Sequence, residues 1–297
     1  MRKQFVAIAA MTLLLAGCGQ EETILPEGEG TALCVTSRIE ASALTKAVND
    51  RWTAGDAIGI YQLDSGQSTV EISNRKYETT AGDGNFTPTG EGAIYLSVDG
   101  ATCDFIAYYP WQASKTDEAI YYGNLTNQAD QEAIDLMVAA KVTGVDKNNP
   151  NAQFTFSHKL SKLNLSITAG AGLSAADLAG LTVKITNTQN AINYNLLTDE
   201  LTLGAQTSIT LHTATDGLAS EGIVCPNEGL DGMELTFTLK SGETFSWPLG
   251  NSTAGQFEAG KKYLYKITIN RVGLEVTSQI TDWIAGNGEN GESGSAE

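Results

Sequence analysis

Two histidines, four cysteines and 35 acidic residues bound the chemistry open to this chain of 297 residues. His158 and His212 both fall in alternating apolar and polar runs. Neither stands near a cysteine or a second histidine, so a metal-ligand set or a nucleophile with its base lacks parts. No Cys-x-x-Cys, His-Glu-x-x-His or Gly-x-Ser-x-Gly occurs, and nothing spells a calcium loop. Residues 286–291 spell Gly-x-Gly-x-x-Gly. No strand-turn-helix pattern surrounds them, and Glu289 would repel a pyrophosphate. Carboxylate pairs such as Asp216 and Glu221 are the chemistry of glycosidic hydrolysis, but among so many acids closeness in sequence carries no information. The chain is therefore read as non-enzymatic, with no catalytic residues, no metal site and no cofactor. Tyr108, Tyr109 and Trp111, with Tyr121 and Tyr122 after them, could stack on sugar faces as a ligand-binding patch or pack inside a sheet.

Charge and the N-terminus narrow the partners. With 18 basic residues against 35 acidic ones the net charge is −17, which excludes the basic footprint a nucleic-acid binder needs. An anionic bilayer would repel the chain as well, so a membrane tie must be covalent or made through a partner. Arg2 and Lys3 precede an apolar run from Phe5 to Gly17 that reads as a secretory leader too short to span a bilayer. The run ends Leu15-Ala16-Gly17-Cys18, which resembles a bacterial lipobox, where the peptide is cut before the cysteine and lipid joined to its thiol. Buried acyl CH₂ groups contribute about 0.8 kcal/mol each, enough to hold an anionic body on a membrane through Cys18. Gly19, Gln20, Glu21 and Glu22 resemble surface-export stretches of Bacteroides-like lipoproteins and also suit a solvated linker. Cys34, Cys103 and Cys225 then remain, an odd number that gives no complete disulfide set. Cys103 falls at an inward position as a small buried hydrophobe.

Short alternating runs dominate the rest. Residues 33–41 place Leu33, Val35, Ser37, Ile39 and Ala41 on one side of a strand. Further runs at 58–60, 94–98, 103–109, 154–156, 163–167, 181–185, 209–211, 233–239, 263–269 and 274–280 are separated by Gly, Asn and Asp turns. The class expected is all-β, built as antiparallel sandwiches. A slip in apolar phase between Leu160 and Leu163 suggests a β-bulge. Ser174 to Gly180 predicts a one-turn capped helix, and residues 128–140 would tolerate a helix. Asp146 to Gln153, rich in Asn, is the expected interdomain linker. The Gly, Glu and Ser tail, residues 286–297, is expected to be disordered.

Five segments in register carry a family resemblance. RWTAGDAIGIY at 51–61, FIAYYP at 105–110, DLMVAA at 135–140, FTFSHKLSKLNLSI at 154–167 and FEAGKKYLYKITINRVGLEVTSQITDW at 257–283 resemble the fimbrillin-like surface lipoproteins of Bacteroides and related bacteria. The resemblance implies two tandem transthyretin-like β-sandwich domains, at 47–150 and 151–285, following a leader (1–17) and a lipidated segment with a removable first strand (18–46). It implies a subunit of surface fimbriae, or pili, that serves adhesion. Such a subunit is exported as an outer-membrane lipoprotein, cut after Arg or Lys, and polymerised by strand exchange with other fimbrial subunits. Its further partner is a host or bacterial surface ligand.

The scheme has a physical basis, because a sheet lacking one strand exposes hydrogen-bonding edges and an apolar groove that an incoming strand satisfies. Residues 274–284, with Leu274, Val276, Ile280 and Ile284 on one face, are the expected donor. Family members often carry Thr-Arg-Ala before the Trp-Gly-Asp block, where this chain has Thr45-Lys46-Ala47. Cleavage is expected after Lys46 first and after Arg38 second, since Arg38 lies mid-strand where pairing shields it. The alternatives are an anchor or tip subunit, or a non-polymerising surface lipoprotein that binds glycan or protein.

Overall fold

The computed structural model describes residues 30–40, 51–90, 92–113, 119–282 and 292–296. The first nine strands are β1 (Cys34–Ile39), β2 (Ala57–Asp64), β3 (Val70–Glu78), β4 (Asn85–Pro88), β5 (Cys103–Tyr109), β6 (Ile120–Asn124), β7 (Met137–Ala139), β8 (Val142–Val145) and β9 (Asn151–His158). β10 (Ser161–Ala169) and the one-turn helix α1 (Ala175–Leu178) lead into β11 (Thr182–Gln189), β12 (Ala191–Asn195), β13 (Glu200–Leu203), β14 (Gln206–Thr210) and β15 (His212–Thr213). The chain ends through β16 (Ala219–Val224), β17 (Glu234–Thr238), β18 (Thr244–Pro248), β19 (Lys261–Asn270), β20 (Gly273–Asp282) and β21 (Glu292–Ala296). The expected all-β class is what forms. The predicted one-turn helix is present, with the Ser174 amide donating to Asp177 Oδ2 at 2.8 Å.

The N-terminal strands close on themselves rather than facing each other as two sheets. Their order is β2-β3-β4-β1-β9-β7-β5, and β5 pairs back onto β2 from Gly59↔Tyr108 to Asp64↔Cys103, with β8 continuing β7 along β5. Closure depends on Gly59, where a Cβ would lie 2.1 Å from the Tyr108 ring. Alternation then puts Val35, Ile58, Ile60, Phe105, Phe154 and Phe156 inside. The Trp-Gly-Asp segment is the end plug. Trp52 meets Phe86, Tyr109 and Phe156 edge-on at ring centroids of 5.1, 5.4 and 5.2 Å. Gly55 turns the chain at φ +98°, and Asp56 accepts hydrogen bonds from the Thr53 amide (2.6 Å) and the Tyr109 hydroxyl (3.0 Å).

Two further sheets, β15-β16-β10-β19-β20-β21 and β14-β11-β17-β18, share a second core that includes Leu165, Ile185, Phe237, Trp247 and Tyr265. That core is continuous with the outer face of β2 and β5 through Tyr61, Ile106, Tyr108 and Tyr121. β6, from the first half of the chain, pairs along its whole length with β12 from the second. Buried Gln128 joins the halves as well, donating to the Leu125 and Ile223 carbonyls at 2.6 and 2.9 Å and accepting from the Ile223 amide at 2.8 Å.

Four local expectations are corrected. Asp146–Gln153 is not a linker: residues 146–149 form a tight turn, and β9 runs between β1 and β7 inside the closed sheet. The phase slip at 160–163 is not a bulge. It marks where the chain leaves the closed sheet after His158 and enters the second sheet at Ser161, each with its own inside face. Residues 128–140 are turns followed by β7, because Met137 and Val138 gain strand partners on both β5 and β9 and Ala139 gains one on β9. Part of the acidic tail, Glu292–Ala296, pairs antiparallel with β20, since a sheet edge bonds backbone whatever the side chains.

Candidate functional site: the seat of the first strand

β1 lies mid-sheet, not at an edge. It runs parallel to β9 from Cys34↔Asn151 to Ile39↔Phe156 and antiparallel to β4 at Val35↔Phe86 and Thr36↔Asn85. The Ser37 amide donates to the Gly84 carbonyl at 2.7 Å and the Leu33 amide to the Ile94 carbonyl at 2.9 Å. Gly84 lets the strands approach: its φ is +84°, and a Cβ there would sit 2.3 Å from the Ser37 carbonyl oxygen. Leu33, Val35 and Ile39 are buried in the closed core, as the alternation predicts. Without β1, a groove between β4 and β9 would expose those three positions and two rows of backbone donors and acceptors.

Arg38 is exposed near the C-terminal end of β1, its Nε donating to Thr155 Oγ1 at 3.1 Å and its backbone in register with Thr155. Cys18, Lys46 and Ile284 lie outside the described residues. The expected donor forms β20, which pairs with β19 over its full length, from Asn270↔Gly273 to Lys261↔Asp282. Leu274 and Val276 are buried there, whereas Ile280 is 43% exposed.

The aromatic candidates separate. Tyr108 and Tyr109 are buried and offer no stacking face at the surface. The Tyr108 hydroxyl donates to Asn74 Oδ1 at 2.8 Å, and burial pushes it up to about 12; burial and the Asp56 carboxylate raise Tyr109 too. Trp111 is half-buried, with Lys76 Nζ 5.2 Å from its ring centroid. Tyr121 is buried and Tyr122 exposed. A ligand-binding platform of these rings is therefore corrected to sheet packing for Tyr108, Tyr109 and Tyr121. The packing alternative is the one that forms, and sequence leaves the two open because both faces of β5 are covered, one by the closed core and one by the second, so alternation along 103–109 does not mark an outside.

His158 is buried, its Nδ1 2.9 Å from Asp135 Oδ1, and ties β9 to the DLMVAA segment. Asp216 accepts from the Leu218 amide at 3.0 Å, and Glu221 faces Lys162 at 3.4 Å, so each serves a local contact. A cleft of about 390 Å³ beside the end of β1 is lined by Ile39, Trp52, Asp56, Asp135, Lys162 and Glu221 among others. Among the described residues no three His, Cys, Asp or Glu side chains gather closely enough to hold a metal ion. Cys103 is buried, as expected, with burial holding its thiol up at about 11.

The fold thus defines an all-β protein whose first strand occupies a mid-sheet seat between β4 and β9. The chain belongs to the fimbrillin-like family, whose model matches residues 45–283, as the five segments implied. It is 45% identical, over the full length of both chains, to a Bacteroides uniformis protein named as a candidate fimbrium subunit, Fim1C. The crystal structure of a candidate cell adhesion protein from Bacteroides uniformis superposes with a TM-score of 0.72 at 42% identity, covering 84% of this chain and 99% of that one. The tip fimbrial protein Mfa3 of Porphyromonas gingivalis shares the fold, with a TM-score of 0.56 at 12% identity over 85% of this chain and 99% of that one.

Proposed function

We propose that this chain is a structural subunit of a bacterial surface fimbrium serving adhesion, exported as a lipoprotein through Cys18 and polymerised by strand exchange after cleavage at a basic residue. The observation that carries the reading is the position of β1, mid-sheet between β4 and β9, with Lys46 following it in sequence ahead of the Trp52 plug. Release of β1 vacates the places of Leu33, Val35 and Ile39, whose burial stabilises by about 1.5 to 3 kcal/mol each as an upper bound. A β20 strand from another subunit, bringing Leu274, Val276 and Ile280, restores that burial and both hydrogen-bonding rows. The relatives named for fimbriae and cell adhesion support the reading, as does a family match that begins at residue 45, after β1.

In the same reading the lipid on Cys18 holds the precursor at the outer membrane, and removal of residues 18–46 frees the subunit to join other subunits. The two sheet systems are variants of the transthyretin-like arrangement, the first closed by the β2–β5 pairing. Material sheared from cells producing the chain tests this. The expected product is an SDS-resistant ladder whose subunits begin at Ala47, while unprocessed precursor alone takes up labelled palmitate. Lipid-bearing monomers as the sole surface form would contradict it.

A further inference from the structure

The cleft beside the end of β1 holds hydrogen-bonding capacity that the fold leaves unused. Trp52 lines it and is 7% exposed, yet among the described residues its buried indole Nε1 has no acceptor. The buried amide Nε2 of Gln131, a second lining residue, has none either. A buried N–H without a partner calls for an occupant that accepts. Lys162, 5% exposed, has its amine 3.4 Å from Glu221 Oε2, longer than the roughly 2.7 to 2.9 Å of a full charge-assisted bond. It can take a closer acceptor. Carboxylates line the same cleft. Asp56 accepts from the Thr53 amide and the Tyr109 hydroxyl, Asp135 uses Oδ1 on His158, and Glu221 uses Oε2 on Lys162. Asp135 and Glu221 each keep a second oxygen, and a carboxylate oxygen can accept more than one bond.

Both halves of the chain build the cleft. Trp52 and Asp56 lead into β2, Gln131 and Asp135 come from the turns between β6 and β7, and Lys162 and Glu221 stand on β10 and β16. Its volume of about 390 Å³ falls within the range of small-molecule sites, about 300 to 1,000 Å³, which favour such junctions. All six residues follow Lys46 in sequence, so a subunit cut there keeps them.

Unpaired donors beside carboxylates select a ligand by charge. An anion would satisfy the indole and the amide but meet Asp56, Asp135 and Glu221. A cation would suit the carboxylates, but it would leave both N–H groups unpaired and face Lys162. A neutral molecule whose polar atoms both donate and accept suits the two sets together, and the hydroxyl is the group that does so. An extended peptide presents one donor and one acceptor per residue, spaced about 3.3 Å along a line. A sugar ring turns several hydroxyls outward from one compact body.

Resting on the adhesion reading above, we propose that this cleft is the ligand site of the subunit and takes a neutral sugar unit of a surface glycan. Trp52 Nε1, Gln131 Nε2 and Lys162 Nζ donate to the sugar oxygens, while Asp135 and Glu221 accept from its hydroxyls.

The indole N–H resonances of isotope-labelled residues 19–297 test this by NMR, in titrations with the methyl glycosides of glucose, galactose, mannose, fucose and N-acetylglucosamine. Trp52→Phe identifies the Trp52 peak by its loss. The expected result is that at least one glycoside moves that peak and leaves the other indole peaks in place. Gln131→Met, a substitution in a turn, should weaken binding of the same glycoside about three- to tenfold, as loss of one hydrogen bond does. A Trp52 peak unmoved by all five, equal movement with acetate or putrescine, or binding indifferent to Gln131→Met would each overturn the proposal. The readout needs no polymer. Sugar binding by a chain that never polymerises would leave this site standing and overturn strand exchange, whereas polymer formation with an unmoved Trp52 peak would do the reverse.

Discussion

At the residue scale, single side chains hold the closed sheet shut. Trp52 lies at its end against three aromatic rings, and truncating a buried aromatic of this kind costs about 3 to 5 kcal/mol. Trp52→Ala should lower unfolding free energy by that amount in urea titration, while Trp111→Ala, a half-buried ring, should cost much less. The buried thiols set an alkaline limit. Burial holds Cys103 up to about 11 and Cys225 up to about 12, from 9.0. Both keep their protons longer in the folded chain than in the unfolded one, so their contribution is complete below pH 9 and is lost as pH rises toward 12. The urea midpoint should therefore fall between pH 8 and pH 10.5, and Cys225→Ala should flatten part of that fall. In the folded chain neither thiol should react with iodoacetamide at pH 8.

At the scale of elements, the fit of β1 to its seat decides how readily it leaves. Gly84→Ala would place a methyl group 2.3 Å from the Ser37 carbonyl at a φ of +84°, a strain of about 1 to 3 kcal/mol. The variant should melt lower and release β1 faster under low-dose trypsin, followed by mass spectrometry. Much of this level was legible in sequence. The alternation at 33–39 marked the buried face of β1, and the Trp-Gly-Asp, FIAYYP and DLMVAA segments became the plug, β5 and β7. What alternation does not report is which sheet a strand joins. Residues 146–153 looked like a linker because Asn and Pro mark turns wherever they fall, and the slip at 160–163 looked like a bulge because a change of sheet and a bulge shift the apolar phase alike. The tyrosines of β5 could not be sorted from one strand covered on both faces.

At the scale of the whole molecule, one core runs from the outer face of β2 and β5 into the two C-terminal sheets, with β6 and Gln128 crossing between the halves. In the proposed reading, such a subunit polymerises by losing β1, keeping the rest of the closed sheet and gaining a strand from a neighbour. The most direct test treats purified residues 19–297 with low-dose trypsin and follows N-terminal mass together with size-exclusion elution. The account predicts a new N-terminus at Ala47 appearing in step with high-mass polymer. A chain cut at that point that releases residues 19–46 and still elutes as a monomer would contradict it.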